Sequence, residues 1–164
     1  MSPGQVAPPL VVAQWFNSPA PIELASLRGR VVLIYAFQML CPGCVQFTIP
    51  QAKEVHAEFD SERLVVLGLH TVFEDHDRMT PQALEEFIAE NQLRFPIGVD
   101  MPDARLPKTM KAYDMQGTPT VVIIDAEGRR RVQHFGHVTD LQLSATLNAL
   151  IAEAARARKG EREP

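Results

Sequence analysis

The chemistry open to this 164-residue chain centres on its two cysteines, three positions apart in Cys41-Pro42-Gly43-Cys44. Disulfide exchange needs a thiolate to attack and a second thiol close enough to resolve the mixed disulfide. The residues around the pair suit that task. Arg30 to Phe37 (RVVLIYAF) is continuously apolar and β-branched, the pattern of a strand buried on both faces. Pro42 to Phe59 reads as a helix with Pro42 in its first turn. Cys41 thus stands where a strand gives way to a helix, and the first-turn amides favour its thiolate. Cys44 follows by nearly one turn on the same face. The layout predicts an exposed nucleophile at Cys41 and a more buried resolving thiol at Cys44.

A lone CxxC is also half of a zinc site. A four-cysteine site is impossible here, because the chain has 2 cysteines. A Cys2His2 site would recruit two of His56, His70, His76, His134 and His137, none in a close pair of finger-like spacing. Redox use is the stronger reading, and it calls for no cofactor, since the cysteine pair itself carries the electrons.

Composition sets the outer limits. The hydrophobic fraction of 46% and charged fraction of 22% suit one globular domain with a sizeable core. A formal net charge of -4 gives no electrostatic reason to expect nucleic acid or an anionic membrane as partner. Val31 to Phe37 is the longest apolar run, far too short to span a bilayer. Met1 to Gln5 shows no basic and apolar secretory pattern, so the expectation is a cytoplasmic protein. In that reducing setting, an isolated close cysteine pair points to catalysis more than to a structural disulfide.

Other elements must position the pair. The stretch through Pro21 is proline-rich and extended, with Leu10 to Phe16 as an edge strand and Ile22-Glu23-Leu24 as a returning strand. Ser26-Leu27-Arg28-Gly29 reads as a single helical turn closed by glycine, and Pro50 should kink the helix that contains it. Arg63 to Leu69 is a second buried strand, parallel to the first through a β–α–β crossover. Thr80-Pro81 starts a helix with Leu84, Phe87, Ile88 and Asn91 at helical spacing. Phe95 to Val99 is a short strand and Arg105 to Tyr113 a short helix. Thr120 to Asp125 and Arg129 to Phe135 form a hairpin around Ala126-Glu127-Gly128, with Arg129-Arg130-Arg131 on its wet side. Thr139 to Ala155 closes the domain, with Leu141, Leu147, Leu150 and Ile151 as core residues. The domain covers 1–155, and 156–164 reads as a charged, disordered tail.

These residues together resemble the TlpA/ResA-like thioredoxin family within the AhpC/TSA redoxin proteins. The likeness runs from Leu27-Arg28-Gly29-Arg30-Val31-Val32-Leu33 through the CxxC and the insert carrying Phe87 to Val99. It ends in Gly117-Thr118-Pro119-Thr120 and Ile124-Asp125-Ala126-Glu127-Gly128. The resemblance implies an α/β thioredoxin fold, a central mixed sheet flanked by helices, with an N-terminal extension and a βα insert. It also implies a cis Pro119 opposite the CxxC, with the Thr118 backbone pairing with the substrate's extended chain.

The chain departs from the family at several positions. Leu40 stands where the family has tryptophan before the first cysteine. Gln46 and Phe47 replace an acid beyond the CxxC. Tyr35 occupies the place of the buried aspartate of thioredoxins, and Pro50 lies one residue farther from Cys41. Family members are commonly exported or membrane-tethered, whereas no export signal is visible here. With the usual proton acceptor for Cys44 missing, His70 at the end of the second buried strand is the best replacement, ahead of Glu74 and His76.

The expected activity is dithiol–disulfide exchange that reduces protein or small-molecule disulfides, with a thioredoxin or glutathione system as reductant. Two rivals remain. A peroxiredoxin-like peroxidase would need a hydroxyl and a proline before the nucleophile, where Ala36-Phe37-Gln38-Met39-Leu40 has neither. A non-enzymatic partner-binding module would leave the pair idle.

Overall fold

The structure, a computed structural model, describes residues 4–162. The first residues of the extended lead-in and the last two of the expected tail lie outside the described residues. Six strands form one mixed sheet in the order β1 (Val12–Phe16), β4 (Ile97–Asp100), β3 (Leu64–His70), β2 (Val31–Phe37), β5 (Thr120–Ile124), β6 (Arg130–Phe135). β2 runs parallel to β3, with Phe37 opposite His70, and antiparallel to β5. β5 and β6 make the hairpin that the turn residues predicted.

Every residue of β2 is buried, and its side chains alternate between two cores. Val31, Leu33, Tyr35 and Phe37 pack with α1 (Ile49–Glu58), α2 (Pro81–Glu90) and α4 (Asp140–Arg162). Val32, Ile34 and Ala36 pack on the other face with Met110 of α3 (Lys108–Ala112) and with Leu24, Leu27 and Tyr113. Full burial of each such aliphatic or aromatic side chain contributes roughly 1.5–3 kcal/mol. The centre of the sheet is therefore a rigid platform, and the CxxC loop leaves from its carboxyl end. Among the described residues no helix is long and apolar enough to cross a membrane.

The active-site helix is continuous from Pro42 to Glu58, but it widens where a kink was expected. Cys44–Thr48 forms a π turn, closed by the Ile49 N–H donating to the Cys44 carbonyl. Pro50 has no N–H for the carbonyl four residues back, and its ring would collide with it. The wider turn inserts one residue and moves Pro50 into the first turn of α1. This accounts for the extra residue between Cys41 and Pro50.

Four other expectations need correction. Ile22-Glu23-Leu24 is not a strand; Leu24–Leu27 is one 3-10 turn whose two leucines are buried together, and β1 pairs with β4 instead. Leu141 is 82% exposed, because it lies two positions from Leu143, on the face opposite the buried Leu143, Leu147 and Leu150. Residues 156–162 are helical, not disordered: alanine, arginine and lysine are strong helix formers, and the Arg158 guanidinium donates to the Gly29 carbonyl at 3.0 Å. Arg130 is buried, unlike the wet hairpin side expected for it. The N-terminal extension covers it: Val6 bridges Arg129, and the Arg130 N–H donates to the Gln5 carbonyl.

Candidate active site

The main chain turns sharply after β2. The Cys41 N–H donates to the Gln38 carbonyl and the Val45 N–H to the Cys41 carbonyl, each at 3.0 Å. Cys41 thus caps the helix, as the strand-to-helix reading predicts. It is half-buried, and its Sγ lies 3.7 Å from the Thr118 carbonyl oxygen, to which the thiol donates. Cys44 is wholly buried in the larger core. Both are free thiols.

Burial pushes the Cys44 thiol up to about 12, and the hydrogen bond with Cys41 adds to the rise. The Gln38 main chain and the Thr118 side chain act in the opposite sense without overcoming it. One thiol is accessible and the other is held neutral in the core, the division of labour that exchange requires. Iodoacetamide at about pH 8 is therefore expected to add one group to the reduced native protein, on Cys41. Cys44 should become reactive only on unfolding. Mass spectrometry of the intact and digested protein checks this, and native double labelling would contradict the burial.

The Thr118-Pro119 bond is cis. Pro119 lies over the first turn of the active-site helix, its Cδ 3.7 Å from where a Cβ on Gly43 would stand. Gly117 lets the Phe135 ring pack closely behind it, since a Cβ there would stand 3.1 Å from that ring. The loop bearing Thr118 and Pro119 is thereby held against the dithiol by residues distant in sequence.

His70 is brought to this place but not in the role expected of it. It ends β3, is 1% exposed, and its Nε2 accepts the Met39 N–H at 3.1 Å. That bond assigns the ring proton to Nδ1. Burial pushes its pKa down to about 4, so the imidazole is neutral at neutral pH. With its acceptor nitrogen committed to Met39, His70 holds the loop that enters the CxxC and does not take the Cys44 proton. A strand end looks solvent-open in sequence, but here the ladder to β2 continues past it, with the Thr71 N–H bonded to the Phe37 carbonyl.

Tyr35 gives Cys44 no carboxylate either. Its buried hydroxyl donates to Gln51 Oε1 at 2.9 Å, and burial holds the phenol far above its ordinary range. Gln51 in turn donates to the Val138 carbonyl and Asp140, each at 2.8 Å, which ties α1 to the start of α4. Glu74 and His76 are exposed; Glu74 lies 3.3 Å from Gln38 Nε2. His134 and His137 are solvent-exposed as expected, His137 packing at a tilt against Phe47 with 5.1 Å between centroids.

Sequence reasoning passed over Gln38 and Phe135. Gln38 carried a usable signal: it is the polar residue that ends a seven-residue apolar run, three positions before Cys41. Phe135 carried none, since only the hairpin's twist sets its ring against Gly117.

A sequence model of the AhpC/TSA family matches residues 3–133 of the chain. Protein DipZ of Mycobacterium bovis is 31% identical over 143 residues, which cover 84% of this chain and 20% of DipZ. The chain thus spans about a fifth of that relative's length. The thiol-disulfide oxidoreductase ResA of Bacillus thuringiensis is 26% identical over 150 residues, covering 92% of this chain and 79% of ResA. Among solved structures, a thioredoxin-like superfamily protein superposes with a TM-score of 0.88 at 50% identity, covering 90% of this chain and 96% of that one. A thiol-disulfide isomerase from Corynebacterium glutamicum superposes with a TM-score of 0.84 at 46% identity, covering 88% and 96%.

Proposed function

The chain belongs to the AhpC/TSA family and is built as a thiol–disulfide oxidoreductase domain, and on that premise we propose that it reduces protein disulfides in the cytoplasm. The observation that carries this reading is the asymmetry of the dithiol: a half-buried Cys41 beside the cis-proline loop, and a fully buried neutral Cys44.

In the proposed cycle the Cys41 thiolate attacks one sulfur of the substrate disulfide. A Cys41–substrate disulfide forms, and the other substrate sulfur leaves as a thiolate that takes a proton. Cys44, losing its proton, then attacks Cys41. The Cys41–Cys44 bond forms and the second substrate thiol departs, so the substrate gains two electrons and the enzyme loses them. A dithiol reductant of the thioredoxin or glutathione class resets the pair.

Exposed apolar side chains beside the pair favour a protein substrate over a small charged disulfide. Leu40, Val45 and Phe47 flank the two cysteines in the chain, and Phe135 packs on the cis-proline loop; all are at least 38% exposed. Their positions suit an extended segment laid along the Thr118 backbone.

The deciding measurement is the reduction potential of the Cys41–Cys44 pair in glutathione buffers, with hydrogen peroxide consumption assayed in parallel. A potential near or below about -250 mV with negligible peroxide turnover supports the reductase. A much more oxidising value makes the protein an oxidant, and rapid peroxide-driven oxidation of Cys41 makes it a peroxidase.

A further inference from the structure

Gln38 is 1% exposed, and its main chain and side chain grip two different parts of the redox site. Its carbonyl accepts the Cys41 N–H at 3.0 Å and so starts the turn that presents the nucleophile. Its side-chain Oε1 accepts the Phe73 N–H at 3.2 Å. A backbone N–H only donates, so this bond forbids the flipped amide and directs Nε2 to the other side. There Nε2 donates to Glu74 Oε1 at 3.3 Å and to Thr118 Oγ1 at 3.4 Å. The Thr118 carbonyl in turn accepts the Cys41 thiol at 3.7 Å. Gln38, Cys41 and Thr118 therefore close a ring of hydrogen bonds, and Gln38 holds both partners of the contact between the nucleophile and the cis-proline loop.

We infer that Gln38 is a positioning residue that fixes the Thr118 backbone at the distance from Cys41 at which an extended protein substrate brings its disulfide to the nucleophile. The inference rests on the disulfide-exchange reading above and adds the residue that aligns its first step. In that step the Cys41 thiolate bonds to one substrate sulfur and the substrate S–S bond breaks. The other sulfur leaves with the electron pair and takes a proton from water. A chain laid along Thr118 delivers its sulfur in line only if that backbone stands at one fixed place relative to Cys41. Pro119 over Gly43 and the Phe135 ring against Gly117 press the loop inward, but apolar packing is non-directional and permits sliding. The Gln38 bond is directional and anchors the loop to the turn that carries Cys41 itself. A small aromatic disulfide has no peptide backbone to lay on Thr118, so its reduction needs only an accessible Cys41.

The test compares two substrates in each variant. One readout is kcat/KM for insulin reduction with dithiothreitol as reductant. The other is the rate constant of the reduced protein with 5,5′-dithiobis(2-nitrobenzoate). Gln38→Met, of similar length without the amide, is expected to lower the insulin value by about tenfold and to change the small-disulfide rate by about twofold or less. Thr118→Val should do the same. It breaks the same bond from its other end on a half-buried residue, so it carries the test should Gln38→Met fail to fold. The double variant should be no slower than the slower single, since the two residues act in series. Thr118→Ser keeps the acceptor oxygen and should restore the ratio of the two rates. Equal losses on both substrates, no recovery in Thr118→Ser, or multiplied losses in the double variant would each overturn the inference. If wild-type protein reduces neither substrate, the exchange reading falls and the inference with it. If wild type reduces both and the variants keep its ratio, only the inference falls.

Discussion

Cys41→Ser is expected to abolish disulfide reduction, with a loss on the order of a thousandfold or more, whereas Cys44→Ser should stop the cycle halfway. The reason lies in the geometry. Cys41 is the half-buried thiol at the helix start, next to the Thr118 carbonyl, and Cys44 is fully enclosed. A serine hydroxyl at 41 is neither ionised at neutral pH nor able to form the sulfur–sulfur bond on which electron transfer depends. Cys44→Ser leaves the attacking thiol intact, so substrate stays bound to Cys41 as a mixed disulfide that mass spectrometry can identify. Insulin reduction followed by turbidity would measure the loss, and the trapped adducts would name physiological substrates. The same pair of variants separates catalysis from mere docking: a Cys41→Ser protein that still performed its cellular role would mean the fold serves as a binding module.

Acidification from about pH 6.5 to pH 4 is expected to remove about 3 kcal/mol of stability through His70 alone. Burial depresses the folded-state pKa of His70 from 6.5 to about 4. Above pH 6.5 the ring is neutral in both states, and its contribution to stability is fully present. Between the two values only the unfolded chain takes up the proton, so stability declines as pH falls toward 4. Protonation also ends the acceptor role of Nε2, so the Met39 N–H is released just ahead of Cys41. The entry to the redox site should therefore loosen before the sheet melts. His70→Gln replaces the ring with an amide that can accept from Met39 but does not titrate. Urea unfolding of both proteins at several pH values reads the difference, and parallel curves would remove His70 from this role.

The redox pair was legible because its signals are local. Two cysteines three apart, between an all-apolar β-branched run and a proline-started helix, need no tertiary information to be placed at a strand-to-helix junction. The parallel pairing of β2 with β3, the β5–β6 hairpin and the buried face of α2 also follow from periodicity and turn residues. The cis Thr118-Pro119 bond came from the family resemblance and stands as expected.

Misreadings occurred where a neighbour from another part of the chain decides the matter. Arg130 looks like one of three hairpin arginines until the N-terminal extension pairs across it. Leu141 fits a helical stripe until the other three leucines show which side of α4 meets the sheet. The last turns of α4 carry a charged composition, but their helix formers and the Arg158 contact with Gly29 keep them helical.

By itself, then, the sequence singled out the two sulfurs of Cys41 and Cys44, their strand-to-helix setting, and a sheet strong enough to hold them. Only the tertiary structure decided what surrounds those sulfurs. It committed the acceptor nitrogen of His70 to Met39, locked Tyr35 to Gln51, and aimed Gln38 at Thr118. Those choices depend on hydrogen bonds between residues 16 to 80 positions apart, and no local pattern encodes which of several polar groups will find its partner.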